Sequence, residues 1–111
     1  MKVKTQNYEN VTVVELQGEM DSDFTELFEN TVTSIIATHK TGIVFDMRNV
    51  GFIDSQGLER LLWARDYCNE NNCQLRLAGL DENCTKILEV TRLASEFNHY
   101  PELAQAVKSF A

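Results

Sequence analysis

FIDSQGLERLL, residues 52 to 62, passes from apolar residues into an Asp-Ser pair, then a glycine, and then leucines at helical spacing. Such a change of pattern predicts the joint between a buried strand and a helix. Asp54 or Ser55 is expected to cap the helix, because a side-chain oxygen at this position accepts a hydrogen bond from a free first-turn N–H. A serine beside an acid at such a joint is also a candidate for modification of its hydroxyl.

Strand and helix patterns alternate along the rest of the chain. Apolar and β-branched runs predict strands at residues 3–6, 11–16, 43–45 and 73–77. Residues 18–21 are expected to end the second strand, and residues 46–50 to lie beyond the third. Helical spacing predicts helices from the possible caps Asp21, Ser22 and Asp23 to about residue 39, then over 57–70, over 82–92, and from Pro101 onward.

The alternation of strands and helices indicates the fold class. The run at residues 43–45 is continuously apolar, as in a strand buried on both faces. We expect a single α/β domain over residues 1–111, with a mixed sheet of about four to five strands covered by about four α-helices. The expected core stripe of the first helix is Phe24, Leu27, Phe28, Thr31, Val32, Ile35 and Ile36.

The chain is acidic, with 17 Asp and Glu residues against 10 Lys and Arg residues and a formal net charge of −7. This balance argues against binding to nucleic acid or to an anionic membrane surface, because both need basic residues. It suits a basic protein partner, or no charged partner at all. No signal peptide or membrane span is recognised, so a cytoplasmic protein without membrane insertion is expected.

Neither the cysteines nor any known motif indicates an enzyme. Cys68, Cys73 and Cys84 are an odd set without paired spacing, so reduced thiols are expected rather than disulfides or a zinc site. The phosphate-binding patterns G-x-x-x-x-G-K-[ST] and G-x-G-x-x-G are absent, as is G-x-S-x-G. His39 and His99 are isolated residues of predicted loops. We therefore expect no catalytic activity, no cofactor and no metal.

The position of Ser55 allows a functional role besides capping. A helix N-terminus presents free N–H groups and a partial positive charge, so the fold tolerates a phosphate there. Phosphoserine would add about −1.5 to −2 charge beside Asp54 and would act against a docked interface through repulsion and desolvation. Gly57 leaves room for the close approach of another backbone.

Two motifs give the sequence a resemblance to the STAS domain, and most closely to the bacterial anti-sigma-factor antagonists. LQGEMD, residues 16–21, is similar to the family's apolar-x-Gly-Glu-Leu-Asp loop. VFD at residues 44–46, followed by VGFIDSQGL at residues 50–58, resembles the family's signature around its switch serine. The resemblance extends over nearly the whole chain.

The resemblance implies a partner-switching regulator. In the family, an anti-sigma factor that is also a serine kinase phosphorylates the serine after this Asp, and a phosphatase of the PP2C type restores it. The unphosphorylated antagonist binds the kinase. By resemblance, Ser55 is the phosphoacceptor, and the residues that flank the site or dock the partner are Asp21, Asp54, Gln56, Gly57 and Leu58.

Two residues depart from the family pattern. Gln56 stands where close relatives often have serine or threonine, and Arg92 stands where the family commonly has a helix-terminating glycine. The third helix is therefore expected either to hold Arg92 in a strained left-handed conformation or to run on. The alternative function is a constitutive accessory subunit of a phospholipid-transport ABC system or of another signalling complex, in which Ser55 stays unmodified. A third option is an enzyme whose site matches no recognised motif.

Overall fold

The computed structural model describes residues 1–111 as five strands and four α-helices in alternation. The strands are β1 Lys2–Tyr8, β2 Val11–Met20, β3 Gly42–Ile53, β4 Gln74–Ala78 and β5 Asn98–Tyr100. The α-helices are α1 Thr25–Ala37, α2 Ser55–Glu70, α3 Glu82–Val90 and α4 Leu103–Lys108. Single-turn 3-10 helices at Ser22–Phe24 and Ala94–Glu96 complete the chain.

The strands form one mixed sheet in the order β1-β2-β3-β4-β5. The hairpin partner β1 runs antiparallel to β2, whereas all other neighbours pair in parallel. Each parallel pair is joined by one of the helices α1, α2 and α3, because a parallel connection must cross back along the sheet. The predicted α/β class, with a mixed sheet and four helices, is confirmed.

The sheet separates two hydrophobic clusters. The larger cluster lies between the sheet and helices α1 to α3, and the smaller one lies beneath α4. Strand β3 serves both, since Ile43 and Phe45 belong to the larger cluster and Val44 to the smaller one. The prediction that this run is buried on both faces is confirmed.

Both long strands continue past the points where the sequence pattern ended them. Pairing of β2 with β3 extends to Met20 and Ile53, with register shifts beside Glu15 and Gly18. Gly18 has a φ of +120°, which a side chain would disfavour, and so it lets β2 continue through an irregularity. The expected strand ends at residues 18–21 and 46–50 were therefore wrong. Strand β5 was not predicted, and Pro101 precedes α4 instead of opening it.

The expected stripe of α1 is correct except at its edge. Phe24, Phe28, Val32, Ile35 and Ile36 are buried, but Leu27 is 46% exposed. Helical spacing predicts the direction in which a side chain points. It does not predict how far around the helix the packed core extends. Leu27 lies outside both hydrophobic clusters.

Arg92 ends the third helix in the left-handed conformation, the first of the two expected alternatives. Its φ is +62°, and its N–H donates to the carbonyl oxygen of Glu89 at 3.0 Å. The N–H of Leu93 donates to Leu88 at 2.9 Å, which completes a Schellman motif. A residue with a Cβ is strained by about 1–2 kcal/mol in this region of backbone space.

Replacement of Arg92 by glycine should therefore stabilise the protein. We expect Arg92→Gly to raise the free energy of unfolding by about 0.5–1 kcal/mol, after allowance for glycine's greater freedom in the unfolded chain. Urea unfolding followed by circular dichroism measures the change. Arg92→Ala is the control, because it removes the charge and keeps the strain, and it should stay within about 0.5 kcal/mol of wild type. An equal gain in both variants would contradict the strain argument.

Candidate functional site

The carboxyl ends of β2 and β3 bring two acidic residues to one edge of the sheet. Met20 pairs with Ile53 at the ends of these parallel strands, so Asp21 and Asp54 follow at equivalent positions. The N–H of Asp54 donates to the carbonyl oxygen of Met20 at 3.1 Å and ties the two strand ends together. Two stretches distant in sequence thus form one site, around the start of α2.

Asp54, and not Ser55, caps helix α2. The Asp54 Oδ1 atom accepts a hydrogen bond from the N–H of Gly57 at 2.9 Å. Ser55 is the exposed first residue of the helix, and its hydroxyl makes no hydrogen bond within the chain. The backbone N–H groups of Ser55 and Gln56 are first-turn donors that find no acceptor in the chain. The serine is therefore an exposed hydroxyl beside unused donors.

This division of roles makes a testable difference in stability. We expect Asp54→Ala to lower the free energy of unfolding by about 1 kcal/mol, because the cap to Gly57 is lost. Ser55→Ala should change it by less than about 0.5 kcal/mol, because the hydroxyl caps nothing. Urea denaturation of both variants measures the contrast. A larger loss in Ser55→Ala than in Asp54→Ala would show that the serine is the cap in solution.

Asp21 plays a similar local part at the end of β2. It caps the 3-10 helix Ser22–Phe24, where its Oδ1 atom accepts from the N–H of Asp23 at 3.0 Å. No side chain caps α1 itself, which begins at Thr25. Of the three possible caps in the sequence, Asp21 is thus the one whose side chain serves as a cap.

Gly57 is buried where α2 crosses the end of β2. A Cβ atom there would lie 2.9 Å from the Cβ of Met20 and 2.9 Å from the Cγ2 of Ile53, and it would also press on the Met20 carbonyl oxygen. The backbone that Gly57 allows to approach is therefore that of its own chain. Gln56 is exposed beside Ser55, and Leu58 is half-buried against the core. The surface that another molecule can reach consequently runs over Ser55 and Gln56.

A side-chain contact from α3 that the sequence did not reveal supports the strand leading to this joint. The Asn83 amide donates to the carbonyl oxygen of Gly51 at 2.8 Å, and the Cys84 thiol contacts the carbonyl oxygen of Val50 at 3.3 Å. Helix α3 is positioned by its own cap, Asp81, which accepts from the N–H of Cys84 at 2.7 Å. No local pattern marks Asn83, because its acceptor lies 32 residues away in sequence.

Most other buried polar groups have structural partners, and the exception is the Nε atom of Arg76, which makes no hydrogen bond. The Asp46 carboxylate is buried, and Arg48 binds it with nitrogen–oxygen distances of 2.7 to 3.2 Å. This contact raises the pKa of the Arg48 guanidinium. Cys68, Cys73 and Cys84 are free and buried. Burial raises the pKa of the Cys84 thiol to about 12, so it stays protonated at neutral pH.

Two features that would suggest other functions, a metal-binding cluster and a helix able to span a membrane, are not found. The structure holds no group of three or more His, Cys, Asp or Glu residues arranged to bind a metal ion. None of the four α-helices has the length and apolar character needed to cross a bilayer.

Comparison with known proteins gives consistent matches. The family model described as "STAS domain" matches residues 2–106. A STAS-domain containing protein of Pseudomonas aeruginosa strain UCBPP-PA14 is 29% identical over 84 residues, which cover 76% of this chain and 82% of that protein.

Solved structures with the same fold include anti-sigma factor antagonists and a sulfate transporter family protein. An anti-sigma factor antagonist from Mycobacterium paratuberculosis has a TM-score of 0.86 at 21% identity and covers 97% of this chain and 92% of its own. The Bacillus anti-sigma factor antagonist SpoIIAA, solved in unphosphorylated and phosphorylated forms, gives a TM-score of 0.82 at 16% identity for the unphosphorylated form, over 98% and 96% of the two chains. A sulfate transporter family protein from Wolinella succinogenes scores 0.83 at 16% identity, over 92% and 85%.

Proposed function

The chain belongs to the STAS domain family, and from that membership we propose that it is a partner-switching regulator controlled by phosphorylation of Ser55. Unphosphorylated, it binds an anti-sigma factor that is also a serine kinase. Phosphorylation releases this partner, and a phosphatase of the PP2C type restores binding. The chain itself catalyses nothing and acts in the cytoplasm, as the substrate and inhibitor of other proteins.

The exposed and unbonded hydroxyl of Ser55 carries this proposal. A kinase must reach the hydroxyl and take its proton, and a hydroxyl engaged in a helix cap resists both. Because Asp54 supplies the cap, α2 keeps its first turn whether or not Ser55 is modified. The site therefore fits a residue that is modified while the fold stays intact.

The surroundings of Ser55 also tolerate the charge of a phosphate in the free protein. The N–H groups of Ser55 and Gln56 have no acceptor in the chain, and the helix dipole at α2 favours an anion. In a complex the same phosphate would be desolvated and would lie beside Asp54. A modification that costs the monomer little thus acts against a docked partner.

Phosphate mapping tests the proposal directly. The protein is isolated from its own cells during growth and under stress, and its peptides are analysed by mass spectrometry. We expect phosphate on Ser55, with an occupancy that changes between conditions. Ser22, Ser34 and Ser95 serve as internal controls, because they are also exposed. Ser55 free of phosphate in every condition would reject the switch. Equal phosphate occupancy on all four serines would reject a switch that acts specifically through Ser55.

A constitutive accessory subunit is the second candidate, and the similarity of fold to a sulfate transporter family protein favours it. Such a subunit would bind a transporter component permanently, with Ser55 as an unmodified surface residue. Co-purification with transporter subunits that Ser55→Asp leaves unchanged would support this alternative. Loss of the co-purified partner in Ser55→Asp would support the switch.

A further inference from the structure

Helix α2 ends in a turn that brings two cysteines together. Asn72 has a φ of +57°, and the N–H of Cys73 donates to the carbonyl oxygen of Cys68 at 2.8 Å. These are the left-handed residue and the closing hydrogen bond of a Schellman motif, in which the side chains at the two ends commonly touch. Standard bond lengths then keep the two Cα atoms at most about 6.7 Å apart. A disulfide needs a Cα separation of about 4.4–6.8 Å.

Helix α3 ends in the same motif with different side chains at the two ends. Arg92 takes the left-handed position, and the N–H of Leu93 donates to the carbonyl oxygen of Leu88. Leu88 belongs to the larger hydrophobic cluster, and Leu93 packs against it. Two leucines therefore serve the motif where only an apolar contact is needed. The end of α2 has thiols at both positions, and the motif itself does not require sulfur.

The two thiols of this motif have opposite acidities. A hydrogen bond from the Cys68 thiol lowers the pKa of Cys73, and the backbone N–H of Gln74 lowers it further, although burial acts in the other direction. The same thiol contact and burial both raise the pKa of Cys68. Cys73 is thus favoured as the thiolate, which is the reactive form of cysteine, while Cys68 keeps its proton.

The pair is buried beneath an exposed turn. Cys68 is 0% exposed and Cys73 is 1% exposed, but residues 69–72 between them are all exposed. The end of a helix opens locally at a smaller cost in free energy than the core of the domain. A small oxidant can therefore reach the sulfur atoms while the rest of the domain stays folded.

We propose that Cys68 and Cys73 form a reversible oxidation site, at which hydrogen peroxide converts the two thiols into an intramolecular disulfide. The Cys73 thiolate attacks one peroxide oxygen, the O–O bond breaks, and hydroxide leaves and takes up the proton that Cys73 lost. The resulting sulfenic acid then condenses with Cys68: the S–S bond forms, and the hydroxyl leaves as water with the Cys68 proton. Two electrons pass from the sulfur atoms to peroxide, and two water molecules are released.

Such a site is compatible with a reducing compartment. Lasting structural disulfides are rare there, whereas transient disulfides that respond to oxidants do occur. The pair lies at the end of α2 opposite to Ser55. The inference is independent of phosphorylation at Ser55, and its test needs no partner protein.

Peptide mass spectrometry of the folded protein after treatment with hydrogen peroxide tests the site. Trypsin cuts after lysine and arginine, so Cys68 and Cys73 share the peptide 66–76, while Cys84 lies in the peptide 77–86. We expect peptide 66–76 to lose two hydrogen atoms, and dithiothreitol to restore them. Cys84 is the internal control: it is also buried, and its pKa is raised to about 12, so it should stay reduced. Circular dichroism during the treatment checks that the domain stays folded.

Single variants test the order of the two steps. Cys68→Ser keeps a hydrogen-bond donor beside Cys73, so Cys73 sulfenic acid should accumulate and react with dimedone. In Cys73→Ser, the dimedone adduct at Cys68 should be at least about tenfold weaker, because that thiol stays protonated. Thermal unfolding of both variants checks their fold, and equal adducts in the two folded variants would overturn the roles assigned to the two sulfurs.

The wild-type experiment decides the proposal by itself. Persistence of both free thiols in peptide 66–76 of the folded protein under peroxide would overturn the oxidation site. Oxidation of Cys84 as fast as the pair would also overturn it, because the reaction would then follow unfolding of the domain. A disulfide confined to Cys68 and Cys73 would establish the site, whatever the state of Ser55.

Discussion

Gly57→Ala should lower the free energy of unfolding by about 2 kcal/mol, although alanine is the better helix former. The added Cβ would lie 2.9 Å from both Met20 Cβ and Ile53 Cγ2 and against the Met20 carbonyl oxygen. Met20 and Ile53 are buried at the paired ends of β2 and β3, so neither side chain can swing into solvent. Helix α2 must then shift away from the sheet, and the Asp54 N–H bond to Met20 weakens with it.

Gly51→Ala is the matched control for this prediction. Gly51 lies six residues earlier in the same segment, is exposed, and has no heavy atom within 4 Å of the position that a Cβ would take. The change there should stay within about 0.5 kcal/mol of wild type. Chemical denaturation monitored by tryptophan fluorescence measures both variants, since Trp63 lies in α2. Equal stability of the two variants would show that α2 does not contact β2 as closely as described.

Ser55→Asp is expected to weaken binding of the kinase by at least about tenfold, because a negative charge is buried against the partner beside Asp54. Ser55→Ala should bind like wild type and remain bound when the kinase is supplied with ATP. Ser55→Asn is the control for size, because it resembles aspartate in shape but carries no charge. Titration calorimetry with the purified kinase compares the four proteins.

The free protein should barely respond to these substitutions. The Ser55 side chain is exposed and makes no hydrogen bond, so all three variants should unfold within about 0.5 kcal/mol of wild type. Binding that falls equally in Ser55→Asn and Ser55→Asp would assign the effect to shape and contradict an electrostatic switch. Wild-type binding in Ser55→Asp would contradict the switch itself.

The strand-to-helix joint was predictable from sequence because its signals are local. The apolar end of β3, the capping position and the helical leucines lie within eleven consecutive residues. Two candidates for the cap remained open, since aspartate and serine are both favoured there. The hydrogen bond from Gly57 to Asp54 decided between them, and it depends on how α2 meets the strand.

Local sequence signals were enough to predict the α/β class, the order of nearly all elements and the position of Ser55 at a helix start, because side-chain periodicity and caps act over a few residues. The tertiary structure was needed to show that β2 and β3 run on to a shared edge, that Gly57 faces Met20, and that Leu27 is exposed. These features depend on pairing between stretches about thirty residues apart, and local periodicity holds no information about such pairing.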